Sequence, residues 1–389
     1  MSEDLFETLI DRKNSGAVKW DNLLQIYGEK DLLPMWVADM DFPSPAAVQE
    51  ALLNRVNHPL YGYTGTGPAV YTSIQDWMKY RHQWEVRKSW ITFSHGVVTA
   101  LSTVIQACTD PGDKVLLQSP VYTPFFDLIK SNERTVVNSQ LKIENGRFEI
   151  DFTDLEAKLK DGVKLFLLCS PHNPGGRVWT AEELTRIGDL CETYGVTIVS
   201  DEIHADLYIE PAKHQPLAAL DDRYANITIT CMAPSKTFNI AGLQASILIT
   251  SNKELQDKIN IVNRRNGFHG LNLIGVTAME AAYKNGGEWL ESLMAYIKKN
   301  AETAIEYVSK EVPGVSAMSP DASYLLWLDC RKLGLSDEEL RIKLIQEGKL
   351  ALEPGIKYGP GGEGFVRMNI GCPRSILMDG LERLKKAFA

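Results

Sequence analysis

Short apolar runs alternate with helical patterns over the first three quarters of the chain. The runs lie at residues 91–93, 114–118, 164–169, 196–200, 227–231 and 245–250. Apolar positions with helical spacing follow at 97–108 and again at 181–195. The runs are continuously apolar rather than alternating, which is typical of strands buried on both faces. The pattern therefore predicts an α/β unit with a mostly parallel sheet that helices cover on both sides.

The pattern changes after about residue 285. Long amphipathic helices are predicted at 287–312, 336–348 and 375–389, around strands at 323–329 and 364–370. This arrangement indicates a second, smaller α+β unit. The first 45 residues show little regular pattern, and because Trp36 in the segment 33–45 needs a packing site, we expect that segment to cross onto the smaller unit. The predicted division is a large domain at 46–285 and a small domain made of 1–45 and 286–389.

Composition narrows the classes of partner. The chain has 389 residues, and its 41 basic and 50 acidic residues give a net charge of −9. Because an acidic protein repels a phosphate backbone, nucleic acid is not expected as its main partner. Its apolar stretches fall short of the roughly 18 residues that a membrane span requires, and its acidic N-terminus resembles no secretory or transit signal. We therefore expect a cytoplasmic protein with no membrane partner.

Cysteine and histidine positions give no sign of a metal site. The six cysteines lie mostly within apolar stretches and form no C-x-x-C pair, which favours reduced, packed thiols. None of the seven histidines belongs to an H-E-x-x-H or comparable pair. Metal catalysis is therefore not expected.

Polar side chains with possible chemistry follow several of the predicted strands. In an open parallel sheet, ligands bind beyond the carboxyl ends of the strands, so these positions are the first candidates. Gly96 forms a turn that opens a helix at Val97 and Val98, and Tyr122 supplies an aromatic ring. Asn173 is an amide between two prolines, Asp201 is a carboxylate that follows an apolar run, and Lys236 is a lysine after a further strand. Taken singly, each has an ordinary structural explanation.

Lys236 has two interpretations. A lysine among small and apolar neighbours is by default a surface side chain whose stem packs while its amine stays in water. The other interpretation is an amine of lowered pKa used for Schiff-base chemistry. An anion-binding turn, an aromatic face, an amide, a carboxylate and a lysine all fall at strand ends of one predicted sheet. This combination is what a pyridoxal 5'-phosphate (PLP) site requires, and it favours the second interpretation.

Four motifs then identify a family. They occur in a fixed order along nearly the whole chain, as H-N-P-x-G at 172–176, S-D-E-I-H at 200–204, S-K-T-F-N at 235–239 and R-M-N-I-G at 367–371. The ordered set resembles the fold-type I aminotransferase superfamily. Segments 33–42, 120–125 and 233–244 further resemble carbon–sulfur lyases of the cystathionine β-lyase type. The resemblance implies an aspartate-aminotransferase-like fold, with a seven-stranded sheet in the large domain.

The resemblance also implies roles around the cofactor ring. Lys236 would form the covalent Schiff base and later remove the Cα proton of the substrate. Asp201 would keep the pyridine nitrogen protonated, and Asn173 would donate to the phenolic oxygen. Tyr122 would stack on the ring and also line the substrate site, as would Asn173. His204 stands near the phenolic oxygen where related enzymes often have a tyrosine, so its role is the least defined.

Further implied roles concern the cofactor phosphate and the substrate. The phosphate would be held by Gly96, Val97, Val98 and Ser235. Gln244 occupies a position where the wider superfamily commonly has an arginine, which leaves less positive charge at the phosphate. Tyr63 would reach the phosphate of a neighbouring subunit in a homodimer. The substrate carboxylate would be clamped by Arg367, and Trp36 would contact substrate.

The expected activity is α,β-elimination from L-cystathionine and related S-substituted L-cysteines, which yields pyruvate, ammonia and a thiol. An aminotransferase is the nearest alternative because both reactions begin with loss of the same Cα proton. A ligand-binding regulatory protein that keeps only the cofactor site is a third possibility. Residue types alone do not choose among these three.

Overall fold

Most of the apolar runs form one mixed sheet in the computed structural model, which describes residues 4–389. In chain order the strands of these residues are β1 (Leu33–Pro34), β2 (Ile91–Ser94), β3 (Lys114–Leu117), β4 (Thr135–Asn138), β5 (Lys142–Glu144), β6 (Arg147–Glu149), β7 (Val163–Cys169), β8 (Thr197–Asp201), β9 (Thr228–Met232), β10 (Ser246–Ile249), β11 (Ser316–Ala317), β12 (Leu325–Asp329), β13 (Leu350–Ala351), β14 (Glu353–Pro354) and β15 (Phe365–Asn369).

Helices alternate with these strands through the middle of the chain. They are α1 (Asp4–Glu7), α2 (Val18–Asp21), α3 (Leu23–Tyr27), α4 (Ala46–Asn57), α5 (Pro68–His82), α6 (Val97–Cys108), α7 (Pro124–Ser131), α8 (Phe152–Lys160), α9 (Ala181–Tyr194), α10 (Asp222–Ile227), α11 (Pro234–Thr237), α12 (Lys253–Arg265), α13 (Leu273–Asn285), α14 (Gly287–Glu311), α15 (Asp337–Gln346) and α16 (Arg374–Phe388). Local signals set several ends. For example, α9 begins with a capping box between Thr180 and Glu183 and ends at Gly195 in the left-handed conformation.

The large sheet has the strand order β2-β10-β9-β8-β7-β3-β4. The pairs from β9 to β4 are parallel, and β10 alone runs antiparallel to both of its neighbours. The predicted α/β class, with a mostly parallel seven-stranded sheet between helices, is confirmed.

Alternating residues of the central strands bury two separate cores. Along β7, Leu165 and Leu167 face a core formed with α6, α7 and α12. Phe166 and Leu168 face the opposite core, formed with α8, α9 and α10. Because both faces of this sheet are covered, its candidate ligand-binding residues are expected at the ends of the strands.

A smaller sheet of order β11-β12-β15-β14 lies in the C-terminal part and is antiparallel. The N-terminal segment joins this part, because β1 pairs with β13 and Met35 accepts a backbone hydrogen bond from Asn369. Trp36 is buried beside Tyr27, with ring centroids 5.5 Å apart. The domain boundaries at 45/46 and 285/286 stay a prediction. Among residues 4–389, no helix combines the length and apolarity needed to cross a membrane.

Candidate active site

Three neighbouring strands of the large sheet end level with one another. Cys169 at the end of β7 pairs with Asp201 of β8, which pairs with Cys231 of β9. The loops that follow therefore emerge at one edge of the sheet, and they carry Asn173 and Lys236. This edge is the place where an open parallel sheet binds ligands.

Lys236 lies on the short helix α11 and is half-buried. Its Nζ donates a hydrogen bond of 2.6 Å to the carbonyl oxygen of Ala38. The pKa of the amine is lowered to about 8, chiefly by burial and next by the nearby charge of Arg367, while Asp39 and Asp201 act in the opposite direction. Because the ordinary pKa is 10.5, a substantial fraction of this amine is neutral near pH 8 and able to act as a nucleophile or base.

Asp201 is a buried carboxylate at the end of β8, with 4% of its surface exposed. It accepts a hydrogen bond of 3.2 Å from the backbone N–H of Ile203. Among residues 4–389 it forms no ion pair within 4.0 Å. Its pKa is raised to about 7, chiefly by burial; Glu202 acts in the same direction, and the Ile203 N–H and the charge of Lys236 act in the opposite direction. Such a group would be stabilised by a cationic partner, which this part of the chain does not supply.

Arg367 on β15 is a buried cation in the same situation. Its Nη1 donates to Oδ1 of Asn173 at 3.1 Å, and its Nη2 donates to the carbonyl oxygen of Trp36 at 2.8 Å. Its Nε is buried with no hydrogen-bond partner among the described residues. The ring of Tyr358 lies under the guanidinium, with 5.3 Å from Cζ to the ring centroid. Because its protein partners are neutral, this guanidinium can bind a carboxylate.

His204 and Tyr122 complete the polar set. His204 is buried, and its Nδ1 lies 3.1 Å from the hydroxyl oxygen of Ser323. Burial lowers the His204 pKa to about 3, and Lys236 and Arg367 contribute, so the imidazole is neutral at physiological pH. Tyr122 is half-buried, and burial, with a smaller contribution from Asp201, raises its pKa to about 12. Tyr122 therefore acts as a neutral ring with a protonated hydroxyl.

Two asparagines fix the segment that carries Ala38. Asn239 bonds the backbone of Met40 and Phe42 through three hydrogen bonds of 2.8–3.0 Å. From the other side, Asn369 donates to the carbonyl oxygens of Val37 and Asp39. The Ala38 carbonyl is thus held in place for Lys236.

Asp39 and Asp41 form ion pairs rather than pointing freely into the site. Arg12 bonds Asp39 at 2.7 Å and Asp41 at 2.7 Å, and Lys19 bonds Asp41 at 2.6 Å. Despite its burial, Asp41 has a pKa below the ordinary value because Lys19 and Arg12 stabilise its charged form. These contacts account for both carboxylates structurally.

The glycine turn after β2 has the geometry that an anion requires. Gly96 has φ of +88°, which a side chain would disfavour, and no atom lies within 4 Å of where its Cβ would be. The N–H of Gly96 is already bonded to the carbonyl of Ser94, at 2.9 Å. Val97 and Val98 begin α6, so their N–H groups have no acceptor within the helix. Ser235 is half-buried on α11, and Gln244 is exposed.

Tyr63 and Trp36 stand apart from this set. Tyr63 is fully exposed in the irregular segment between α4 and α5. The indole of Trp36 donates to the carbonyl of Lys19 at 3.0 Å, and only the backbone oxygen of Trp36 contacts Arg367. Contact of either side chain with cofactor or substrate stays a prediction.

Sequence reasoning missed four residues of the site. Ala38 supplies the acceptor for Lys236, and the Tyr324 hydroxyl donates to the same carbonyl at 3.0 Å. Ser323 bonds His204, and Tyr358 lies under Arg367. Ala38 and Tyr358 have no chemical signal in the sequence. Ser323 and Tyr324 open a predicted strand, and their long-range contacts could not be read from that pattern.

The chemistry of the residues in this site fits a PLP cofactor. Lys236 has a partly neutral amine, and the buried carboxylate of Asp201, which has no ion-pair partner among residues 4–389, is close enough for each group to shift the pKa of the other. A Schiff base and a protonated pyridine nitrogen would require two such groups. The free N–H groups at the start of α6 suit a phosphate. The unpartnered Nε of Arg367 suits the carboxylate of an amino acid.

The fold and the site together define an α/β protein built to bind a carbonyl cofactor and an amino acid. Residues 31–384 match the family described as aminotransferase class I and II. The chain belongs to this family.

Individual relatives cover nearly the whole chain. Cystathionine beta-lyase PatB of Bacillus subtilis (strain 168) is 51% identical over 385 residues, which are 99% of this chain and 100% of PatB. The crystal structure of cystalysin from Treponema denticola, which contains a pyridoxal 5'-phosphate cofactor, is similar with a TM-score of 0.95 at 36% identity and covers 98% of both chains. A PLP-bound C-S lyase from Staphylococcus hominis has a TM-score of 0.92 at 33% identity, covering 99% of this chain and 98% of its own.

Proposed function

We propose that this protein is a PLP-dependent carbon–sulfur β-lyase that cleaves L-cystathionine and related S-substituted L-cysteines. The observation that carries the proposal is one site that holds the partly neutral Lys236, the unpaired carboxylate of Asp201 and the guanidinium of Arg367. The names of the relatives support it, since PatB is a cystathionine beta-lyase and the Staphylococcus hominis protein is a C-S lyase.

Different residues of the site would contact different parts of the proposed cofactor. PLP, when bound, supplies a ring that accepts the electron pair left at Cα of the substrate. Lys236 would hold the aldehyde carbon, and Asp201 would pair with the ring nitrogen. Asn173 accepts from Arg367 with its oxygen, so its amide nitrogen is free to donate to the phenolic oxygen. Tyr122 would cover the ring face.

The proposed phosphate contacts come from the start of α6 and from α11. The N–H groups of Val97 and Val98 would donate to the phosphate, helped by the positive end of the helix dipole. The conformation of Gly96 makes this approach possible, although its own N–H is used within the turn. The Ser235 hydroxyl would supply a further donor. Gln244 adds no charge, so the phosphate would rely on hydrogen bonds.

Lys236 is the proposed base of the reaction. Once a substrate amine has displaced it, the neutral amine can take the Cα proton, and burial favours this neutral form. The electron pair left behind expels the sulfur at Cβ as a thiolate. The remaining aminoacrylate takes up water and gives pyruvate and ammonia; from cystathionine the released thiol is homocysteine.

Arg367 is the proposed clamp for the substrate carboxylate, and Trp36 contributes by fixing the guanidinium through its carbonyl. Arg367→Lys keeps the charge but loses the two-pronged geometry. We expect KM for cystathionine to rise about 100-fold with little change in kcat, because charge-assisted hydrogen bonds to the carboxylate contribute about 1.5–3 kcal/mol each. Steady-state kinetics measure this, with the visible spectrum of the substrate-free holoenzyme as the control. A KM equal to that of the parent protein would remove Arg367 from this role.

A homodimer with shared active sites is the proposed assembly. Tyr63 extends into solvent, and the chain just before it carries further exposed apolar side chains, at Leu53, Val56, Leu60 and Tyr61. An apolar surface of this kind is often covered by another protein, and a second copy would bring Tyr63 to its partner's phosphate. Light scattering measures the mass in solution, and a single-chain mass for the active enzyme would contradict the assembly.

The lyase assay separates the candidate activities. Purified holoenzyme is incubated with cystathionine or an S-alkyl cysteine, and we expect equimolar pyruvate and thiol without any added amino acceptor. The same enzyme with alanine and a 2-oxo acid tests for transamination. Keto acid formed only when an acceptor is present would indicate an aminotransferase, and the absence of product in both assays would favour a ligand-binding protein.

A further inference from the structure

Ser323 has a backbone conformation that serine rarely adopts. Its φ is +75°, in the left-handed region, and the residue is buried. Its N–H donates to the carbonyl of Leu207 at 2.7 Å, and Ile209 donates to Asp321 at 2.7 Å. These bonds hold the loop before β12 against the loop after β8. Glycine would adopt this conformation without strain, so the serine side chain must contribute something that glycine lacks.

The side chain of Ser323 contacts His204. Its Oγ lies 3.1 Å from Nδ1 and has no other hydrogen-bond partner among residues 4–389. The Nε2 atom of His204 has no hydrogen-bond partner in the same residues, since the ring's hydrogen bond is made by Nδ1. The imidazole therefore has one nitrogen on Ser323 and one nitrogen free for a ligand.

His204 lies beside residues that belong to the candidate site. Its ring packs edge-on against Tyr324, with centroids 6.2 Å apart. The Tyr324 hydroxyl and Lys236 Nζ both donate to the carbonyl oxygen of Ala38, at 3.0 Å and 2.6 Å. The charges of Lys236 and Arg367 both act on His204. His204 therefore shares its surroundings with the two cations that would bind cofactor and substrate.

A neutral imidazole carries one N–H, and its partner determines which nitrogen bears the hydrogen. If Nδ1 carried it, the hydrogen of the Ser323 hydroxyl would have no acceptor in the described part of the chain. Because an unsatisfied buried donor is costly, the hydroxyl must instead donate to Nδ1. The imidazole hydrogen then lies on Nε2, and this nitrogen becomes a fixed donor.

We propose that Ser323 is a positioning residue that orients His204 and fixes its tautomer, so that Nε2–H donates to an anionic oxygen of the bound cofactor or substrate. The inference rests on the proposed function for the identity of that oxygen. The tautomer itself depends only on the contacts of Ser323 and His204. The strained conformation is retained because a hydroxyl is required at this position.

Two variants separate the hydroxyl from the backbone strain. Ser323→Ala and Ser323→Gly both remove the hydroxyl, but only glycine relieves the unfavourable φ. We expect Ser323→Gly to have a Tm equal to or above that of the parent, and Ser323→Ala to have a lower one. Despite this difference, kcat/KM for β-elimination should fall by a similar factor in both, about tenfold for one lost hydrogen bond. A fall in activity that follows Tm would mean that Ser323 is only structural.

The tautomer can be measured without cofactor or turnover. In protein labelled with ¹⁵N-histidine, NMR distinguishes protonated from unprotonated ring nitrogens, and His204→Gln assigns the resonance. We expect Nε2–H for His204 in the parent and a mixture of tautomers in Ser323→Gly. An unchanged tautomer in Ser323→Gly would overturn the inference. If the parent releases no keto acid from any substrate, the proposed function fails, but the NMR result still decides the role of Ser323.

Holoenzyme spectra identify the oxygen that receives the hydrogen bond. If the acceptor belongs to the cofactor, the visible band of substrate-free Ser323→Gly should shift, together with the pH dependence of its absorbance. If the acceptor is the substrate carboxylate, the band should stay constant while KM rises about tenfold. Either outcome supports a donor at Nε2. If Ser323→Gly kept the spectrum, KM and kcat of the parent, a hydrogen-bond donor at Nε2 would be excluded.

Discussion

Lys236→Ala should abolish the visible absorbance of the holoenzyme and reduce β-elimination at least about 1,000-fold. The amine is both the group that would join the cofactor and the base that would take the Cα proton. The fold should survive. The variant loses one hydrogen bond to Ala38, worth about 1 kcal/mol, but also the cost of burying an amine. We therefore expect Tm to change by no more than about 3 °C.

Absorbance spectra, pyruvate release and thermal melts of the same sample measure these three effects. Lys130→Ala is a matched control, since it removes the same side chain from an exposed position near the end of α7. The control should keep the visible band and full turnover. Substantial activity or an unchanged band in Lys236→Ala would mean that the amine is not joined to a cofactor.

The strands were predictable because burial on both faces leaves a strong pattern. Six strands of the large sheet begin and end within one residue of the apolar runs seen in the sequence. The seventh, β4, was missed because it lies at the sheet edge with one neighbour and carries no fully buried residue. Edge strands lack the continuous apolar run on which the prediction depends. The shift by one residue at β8 makes Asp201 its last residue rather than the first of the loop.

The candidate site was predictable where a residue type implies its own chemistry. Lys236, Asp201 and Arg367 carry charges that are costly to bury. Because they lie after predicted strands or within the ordered motifs, a functional role could be predicted for them. The carbonyl of Ala38 could not be found in this way, because every residue has one. Its use depends on the contacts of Asn239 and Asn369, which lie far away along the chain. Long-range contacts of this kind are not encoded in local periodicity.

Two charged side chains of the site lack ion-pair partners in the described part of the chain. Asp39 and Asp41 are ion-paired with Arg12 and Lys19. By contrast, Asp201 and the guanidinium of Arg367 lack ionic partners among the described residues. Buried charges without partners reduce the free energy of unfolding. Natural proteins retain such charges where a ligand supplies the opposite charge. We therefore expect the free-energy cost of burying these two charges to be offset only when the cofactor and substrate are bound.

Asp201→Asn should consequently stabilise the cofactor-free protein while impairing the enzyme. Burial raises the pKa of Asp201 to about 7, whereas an aspartate in the unfolded chain titrates near its ordinary value of 3.8. Between these values the folded protein holds a proton that the unfolded chain has released. The contribution of Asp201 to stability is therefore greatest below about pH 4, falls as pH rises to about 7, and is constant above it. At about 1.4 kcal/mol per pH unit, the whole effect is about 4 kcal/mol at most.

Urea unfolding of the cofactor-free protein at pH 5 and pH 8 measures this slope, which Asp201→Asn should reduce. The exposed Asp110→Asn serves as the matched control and should leave the slope unchanged. In the holoenzyme, Asp201→Asn should lower kcat about 100- to 1,000-fold, because the ring nitrogen loses the charge that keeps it protonated. Loss of activity without a change in the slope would point to a damaged fold. Parent-level kcat would show that the carboxylate does not face the cofactor nitrogen, and the orientation of the cofactor in this site would have to be reversed.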